Sequence, residues 1–184
     1  MATPTLDHPT LGRVKAAFSD VKLLATEFRG QSALIVPPGH LHKIMRFLRE
    51  DPDCDYEFLS DVTAVDYLGY PASMPGRFAV IYLLASYAHE RRLTVKTFLD
   101  PTVDTSGNEA DPALELDSVT DIWPGAEWRE REVYDMFGIR FRNHPDLRRI
   151  LLWDGYPAHP LRKDYPLRGR GERETFRTLD RDSR

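Results

Sequence analysis

The side chains capable of chemistry crowd into one stretch, Glu130 to Leu167, which reads EREVYDMFGIRFRNHPDLRRILLWDGYPAHPLRKDYPL. Metal ligation would need histidines at ligand spacing, and the candidates are His40 with His42 or His144 with His159. Neither pair forms an HExxH-like pattern, and the proline after each of the later two reads as turn chemistry. Nucleophilic catalysis would need an activated serine or thiol. GxSxG is missing, and Cys54 lies in the acidic run Asp51 to Glu57, which should raise a thiol pKa. Neither GxGxxG nor GxxxxGK[ST] is present to cradle a phosphate. Asp61 with Asp66, or Glu130 with Glu132, could act as a carboxylate pair, but these spacings read more simply as strand and helix surface.

Binding is what remains. His144, Arg148, Arg149, His159, Arg162, Lys163 and Tyr165 combine planar cationic donors with aromatic bodies, the residue types favoured where surfaces meet. The same arginines could instead pair with Glu130, Glu132 and Asp135 and clamp the segment onto its own domain. Both are expected, with Arg148 and Arg149 forming the clamp and the later block making outer contacts.

The elements that position these groups start with a helix over Glu127 to Phe137, free of Gly and Pro, with Glu127 and Arg131 in the favourable i,i+4 order. Gly138 ends it where a left-handed residue is easiest to accommodate. Ala126, Glu130, Val133 and Phe137 share one face, so a carboxylate lies in an apolar stripe. Glu130 therefore needs a cation or amide donors, with Arg148 and Arg149 the nearest candidates, or it reaches solvent at the edge of the stripe. Ile139 and Phe141 alternate with Arg140 and Arg142 as a short half-exposed strand, and His144-Pro145-Asp146 turns the chain. Beyond it, Pro157, Pro160 and Pro166 each disfavour helix at the preceding residue, which leaves extended backbone that must lie along a surface.

The run Glu130-Arg131-Glu132, Asp135-Met136-Phe137, His144 and Arg148-Arg149-Ile150 resembles the signature of the C subunit of respiratory complex I, the proton-pumping NADH:quinone oxidoreductase. His159-Pro160-Leu161-Arg162-Lys163-Asp164-Tyr165-Pro166-Leu167 is similar to the same family's second block. The resemblance implies a cofactor-free structural subunit of the peripheral arm, docked on the large quinone-site subunit (the D type) beside cluster-bearing subunits. NADH, flavin, iron–sulfur clusters and quinone would then belong to partners, and the chain would lie peripherally on the cytoplasmic face of the cell membrane. The equivalent subunits of membrane-bound hydrogenases and chloroplast-type dehydrogenases resemble it too. The signature and interface residues it marks are Glu130, Arg131, Glu132, Asp135, His144, Arg148, Arg149, His159, Arg162, Lys163, Asp164 and Tyr165.

Composition bounds the rest. The 184 residues suffice for one core with an arm to spare, at 41% hydrophobic, 29% charged and net charge −4. No apolar run approaches the ~20 residues needed to cross a bilayer, and the N-terminus lacks the order of a signal peptide. Cys54, the only cysteine, can form no internal disulfide and no four-ligand iron–sulfur site. Every charged residue from Asp100 to Glu127 is acidic, whereas from Arg129 onward 14 Lys and Arg face 10 Asp and Glu. A basic-armed RNA-binding module is a remote alternative, against which the interleaved acids and the net charge speak.

Along the chain, Met1 to Pro9 reads as mobile, and Leu11 to Phe18 as a helix with Thr10 as its cap. Val21 to Phe28 and Ser32 to Val36 form a hairpin, and His40 to Glu50 an amphipathic helix whose polar face carries His42, Lys43, Arg46 and Arg49. Three strands follow: Tyr56 to Tyr67, Phe78 to Tyr87, which is apolar enough to be the central one, and Arg91 to Leu99. Asp100 to Asp111 is a loop with its acids in solvent. The order α-β-β-α-β-β-β-α predicts a two-layer α+β domain with a mixed or antiparallel sheet and helices on one side. It occupies residues 1–142, and residues 143–184 form an extended C-terminal arm that docks on a partner.

Overall fold

A computed structural model describes residues 8–107 and 110–172. Helix α1 (Pro9–Ala17) leads into the hairpin β1 (Leu24–Phe28) and β2 (Gln31–Ile35). A 3₁₀ turn at Pro38–His40 opens α2 (Leu41–Glu50), and β3 (Phe58–Asp66), β4 (Phe78–Ser86) and β5 (Arg91–Leu99) follow. The short strand β6 (Glu115–Asp117), helix α3 (Ala126–Phe137) and β7 (Arg140–Arg142) complete the regular structure. The architecture is the expected α+β one, with a five-stranded mixed sheet in the order β1-β2-β5-β4-β3. All its pairings are antiparallel except β2 with β5, which is parallel.

Period-2 alternation builds this sheet. Phe78, Val80, Tyr82 and Leu84 of β4 and Leu93, Val95, Thr97 and Leu99 of β5 are buried on one face, where they join Val14 of α1, Ile44, Met45 and Leu48 of α2 and Val133 and Phe137 of α3. The opposite face leaves Leu83 38% exposed. Helices therefore lie on one side, as the pattern predicts.

Several expectations need correction. The middle strand of the five is β5, and β4, although the most apolar, lies between β5 and β3. β4 is paired along both edges, as β2 and β5 are too, so its apolar run does not single out the middle position. Strand β1 begins at Leu24, not Val21. Thr10 does not cap α1: the N-cap residue is His8, and the Thr10 hydroxyl, buried within the helix, shares a 2.9 Å hydrogen bond with Tyr56 OH. Pro9, expected in the mobile stretch, opens α1, while residues 1–7 and 173–184 lie outside the described residues.

Strand β6 carries too few residues to show alternation, and no sequence pattern announces it. It pairs in parallel with β7, so β6, α3 and β7 form a crossover unit. Leu116 faces Phe141 in the core, while Glu115 meets Arg140 at 3.8 Å and Asp117 meets Arg142 at 2.9 Å. The acidic run is thus partly neutralised by the first arginines of the basic half. Asp121 is engaged from the polar face of α2, by His42 at 3.0 Å and Arg46 at 2.5 Å. Asp111, expected in solvent, is buried. It accepts the backbone N–H groups of Thr102, Val103 and Ala113 and the Thr102 hydroxyl, which ties the loop shut.

Candidate functional site

Helix α3 carries the signature residues on two faces. Its apolar stripe is as expected: Ala126, Glu130, Val133 and Phe137 are all buried. Glu130 is fully buried, so it neither reaches the stripe's edge nor behaves as a surface residue. Arg148 and Arg149 do not satisfy it. Its carboxylate accepts the Ser118 hydroxyl at 2.6 Å and the Val119 N–H at 2.8 Å, and the nearest cationizable group is His144 at 4.0 Å. Burial pushes the Glu130 pKa up to about 7, against the lowering effect of those two donors. The fully buried Tyr82 hydroxyl near it finds no partner among the described residues.

The opposite surface of α3 receives the C-terminal arm. Arg131 does not look to Glu127; it donates to the carbonyls of Arg148 at 3.2 Å and Arg149 at 3.0 Å. Asp135 is the centre of the seat. Its carboxylate accepts Arg149 at 2.6 Å and the consecutive N–H groups of Ile150, Leu151 and Leu152 at 3.1, 2.8 and 2.9 Å. Burial works to raise this carboxyl's pKa, yet the three amides and the guanidinium outweigh it and hold it below the usual range.

A helix ends with carbonyls that have no partner within it, and here the arm supplies them. The carbonyl of Asp135 accepts His159 Nδ1–H at 2.9 Å, that of Met136 accepts the Leu161 N–H at 3.1 Å, and that of Phe137 accepts Arg162 Nε–H at 2.7 Å. Gly138 stands at this junction with φ 73°, and a Cβ there would lie 2.4 Å from the Arg162 guanidinium and 2.7 Å from the His159 ring. Glycine is required by conformation and by space at once. His159 is buried and its pKa falls to about 4, chiefly through loss of solvent, so it sits neutral as a donor. The cations Arg149 and Arg162 also face the negative end of the helix dipole.

A second contact holds the later block. Arg77 pairs with Asp66 at 2.8 Å and with Asp164 at 2.9 Å, and Thr105 bridges Arg77 and Asp164. Asp66 also accepts the Lys163 N–H at 2.9 Å. It is buried within β3, not a surface residue, and although burial opposes ionisation, its donors hold the pKa low. Sequence reasoning missed Arg77 and the role of Asp66, since both lie far from the motif in the chain.

The expected division of labour is therefore different. Arg149 clamps, but Arg148 is two-thirds exposed and pairs locally with Asp146 at 2.8 Å. Arg162, expected to face outward, is buried in its own domain, where it also donates to the Thr105 carbonyl at 2.8 Å. Glu132 lies on the exposed side of α3, 4.0 Å from Arg129. His144 Nε2–H donates to the Glu127 carbonyl and its Nδ1 accepts the Asp146 N–H. Tyr165 shares a 2.6 Å hydrogen bond with Tyr156 and donates to Glu172. Among the described residues, no group of three or more His, Cys, Asp or Glu could hold a metal. Cys54 is buried, and loss of solvent followed by the nearby Asp51 pushes its thiol pKa up to about 12.

Outward-facing apolar side chains surround this seat: Trp128, Leu151, Leu161 and Leu167 are more than half exposed, and Trp153 is 40% exposed. What the arrangement can do is bind.

Comparison with known proteins identifies the family. The chain matches, over residues 34–171, the family described as respiratory-chain NADH dehydrogenase, 30 Kd subunit. It is 42% identical to the C subunit of the NADH-quinone oxidoreductase of Roseiflexus castenholzii over 178 residues, which is 96% of this chain and 92% of the relative. Identity with the protein of the same name from Citrifermentans bemidjiense is 44% over 165 residues, 90% of this chain and 92% of the relative. The trypsin-resistant fragment (1–134) of Nqo5 superposes with a TM-score of 0.59 at 29% identity, over 75% of this chain and 96% of that one. A chain of a membrane-bound sulfane sulfur reductase, an archaeal respiratory membrane complex, shares the fold with a TM-score of 0.64 at 22% identity, over 95% of both chains.

Proposed function

The chain belongs to the family of the 30 kDa subunit of respiratory-chain NADH dehydrogenase, a subunit of the NADH-quinone oxidoreductase complex, and from that membership we propose that its task is docking. In this reading it is a non-catalytic subunit of the complex's peripheral arm. Residues 143–184 lie along the large quinone-site subunit and help hold the cluster-bearing subunits in register. Flavin, iron–sulfur clusters, NADH and quinone are handled by those neighbours. The complex then keeps this chain on the cytoplasmic face of the membrane.

The observation that carries this reading is the two-sided construction of the arm. Its inner side is fastened by buried, charge-assisted bonds to Asp135, Asp66 and Arg77, while its outer side presents Leu151, Trp153, Leu161 and Leu167 to solvent. Apolar groups held in water by a rigid support are what an interface core requires.

The test is affinity purification of the tagged full-length chain from gently solubilised membranes. Arg162→Glu and Asp164→Arg should each reduce co-purification of the neighbouring subunits, with the unfolding midpoint of the isolated variants measured alongside. A variant that is weakly seated by hydrogen exchange yet co-purifies fully refutes the docking role.

A further inference from the structure

Where the start of α3 meets the arm, a groove of about 560 Å³ remains open. Pro124, Gly125, Trp128 and Glu132 form one wall, and Ile150 and Leu151 the other. Trp128 is 68% exposed and Leu151 63%, although each stands on tightly held backbone. The arm's wall is pinned from behind, because the N–H groups of Ile150, Leu151 and Leu152 all donate to Asp135 and Arg131 holds the two preceding carbonyls. A preformed groove with an exposed indole costs a binding partner little ordering, and tryptophan in such a position is a typical energetic anchor.

The rim is acidic. Glu127 and Glu132 border the groove, and the Glu132 side chain is 48% exposed. Arg129, the one cation among the lining residues, is shared between Asp61 at 3.4 Å and Glu132 at 4.0 Å, which leaves the rim net negative. We propose that this groove receives a segment of another subunit of the same complex, presenting an apolar or aromatic side chain next to a lysine or arginine. A second copy of this chain would set acid against acid across a shared two-fold axis, and an anionic lipid surface would meet the same carboxylates. The inference rests on the docking role proposed above and shares Leu151 with it, but the groove lies away from the tip of the arm at Leu161 and Leu167.

The experiment places a photo-crosslinking benzoylphenylalanine at position 128 and, separately, at position 167, in the assembled complex. Illumination should join position 128 to one other subunit, at a peptide carrying Lys or Arg within a few residues of the adduct. Adding Glu127→Lys with Glu132→Lys should lower that yield several-fold and leave the position 167 yield unchanged. Leu151→Ser, which keeps the charges, should lower it as well. An adduct at 167 with none at 128, an adduct to a second copy or to lipid, or a yield indifferent to charge reversal overturns this inference and leaves the docking role standing. Absence of both adducts, together with loss of co-purification of the unlabelled chain, removes the docking role and this inference with it.

Discussion

Replacing Glu130 with Gln should make the isolated protein more stable at pH 8 and should abolish part of its pH dependence. The wild-type carboxyl titrates near 4.5 when unfolded and at about 7 when folded, because it is fully buried in the α3 stripe. A group whose folded pKa is raised contributes stability that is fully present below the unfolded value and lost as pH rises through the folded one. The rise from 4.5 to about 7 corresponds to about 3 kcal/mol at pH 8, and between pH 5 and pH 8 the loss is about 2–3 kcal/mol. Glutamine preserves the shape: its carbonyl can accept the Val119 N–H, and its amide can donate to the Ser118 hydroxyl. Chemical denaturation of both proteins at pH 5, 6.5 and 8 isolates the effect as the difference between the two stabilities at each pH. The variant should equal or trail wild type at pH 5 and exceed it at pH 8. A difference that stays constant across this range would show that Glu130 is ionised throughout, and that amide and hydroxyl donation outweighs burial.

The other buried carboxylates carry the opposite sign. Asp66 and Asp135 have depressed folded pKa values, so their contribution is complete above the ordinary 3.8 and disappears as pH falls below it; acid titration followed by hydrogen exchange should release the arm before the sheet. Asp135→Ala removes the carboxylate shared by Arg149 and three backbone amides, leaving the amides without their acceptor and Arg149 with its bonds to backbone carbonyls, which should cost about 3–5 kcal/mol and speed tryptic cleavage after Arg149. Gly138→Ala combines a positive φ with a clash against Arg162, so it should cost at least about 1 kcal/mol in denaturant unfolding and raise exchange at Leu161 and Arg162. Cys54 should resist thiol reagents in the native protein at pH 8 and react only on unfolding, as measured by mass spectrometry.

The chain's acidic middle and basic end look like two surfaces seeking partners, yet much of that charge is consumed internally. Glu115, Asp117 and Asp121 meet Arg140, Arg142 and the His42–Arg46 pair of α2. Outward around the arm, the exposed apolar side chains of Leu151, Leu161 and Leu167 stand among exposed charges such as Arg148, Asp154, Lys163 and Arg168.

The sequence alone determined the amphipathic elements, their order and the two signature blocks, because helical and strand periodicities and the stops at Gly138 and the prolines act over a few residues. The apolar stripe holding Glu130 and the β4–β5 hairpin were legible for the same reason. Which partners those residues take is set when the chain folds. Glu130 is served by Ser118 and Val119, Asp164 by Arg77, and Arg162 by the carbonyls of Phe137 and Thr105. Such pairings join residues 11 to 87 positions apart, where local propensity carries no information and the closing of the sheet and the wrapping of the arm bring the groups together. Whether a charged residue faces water or its own core is settled at that point.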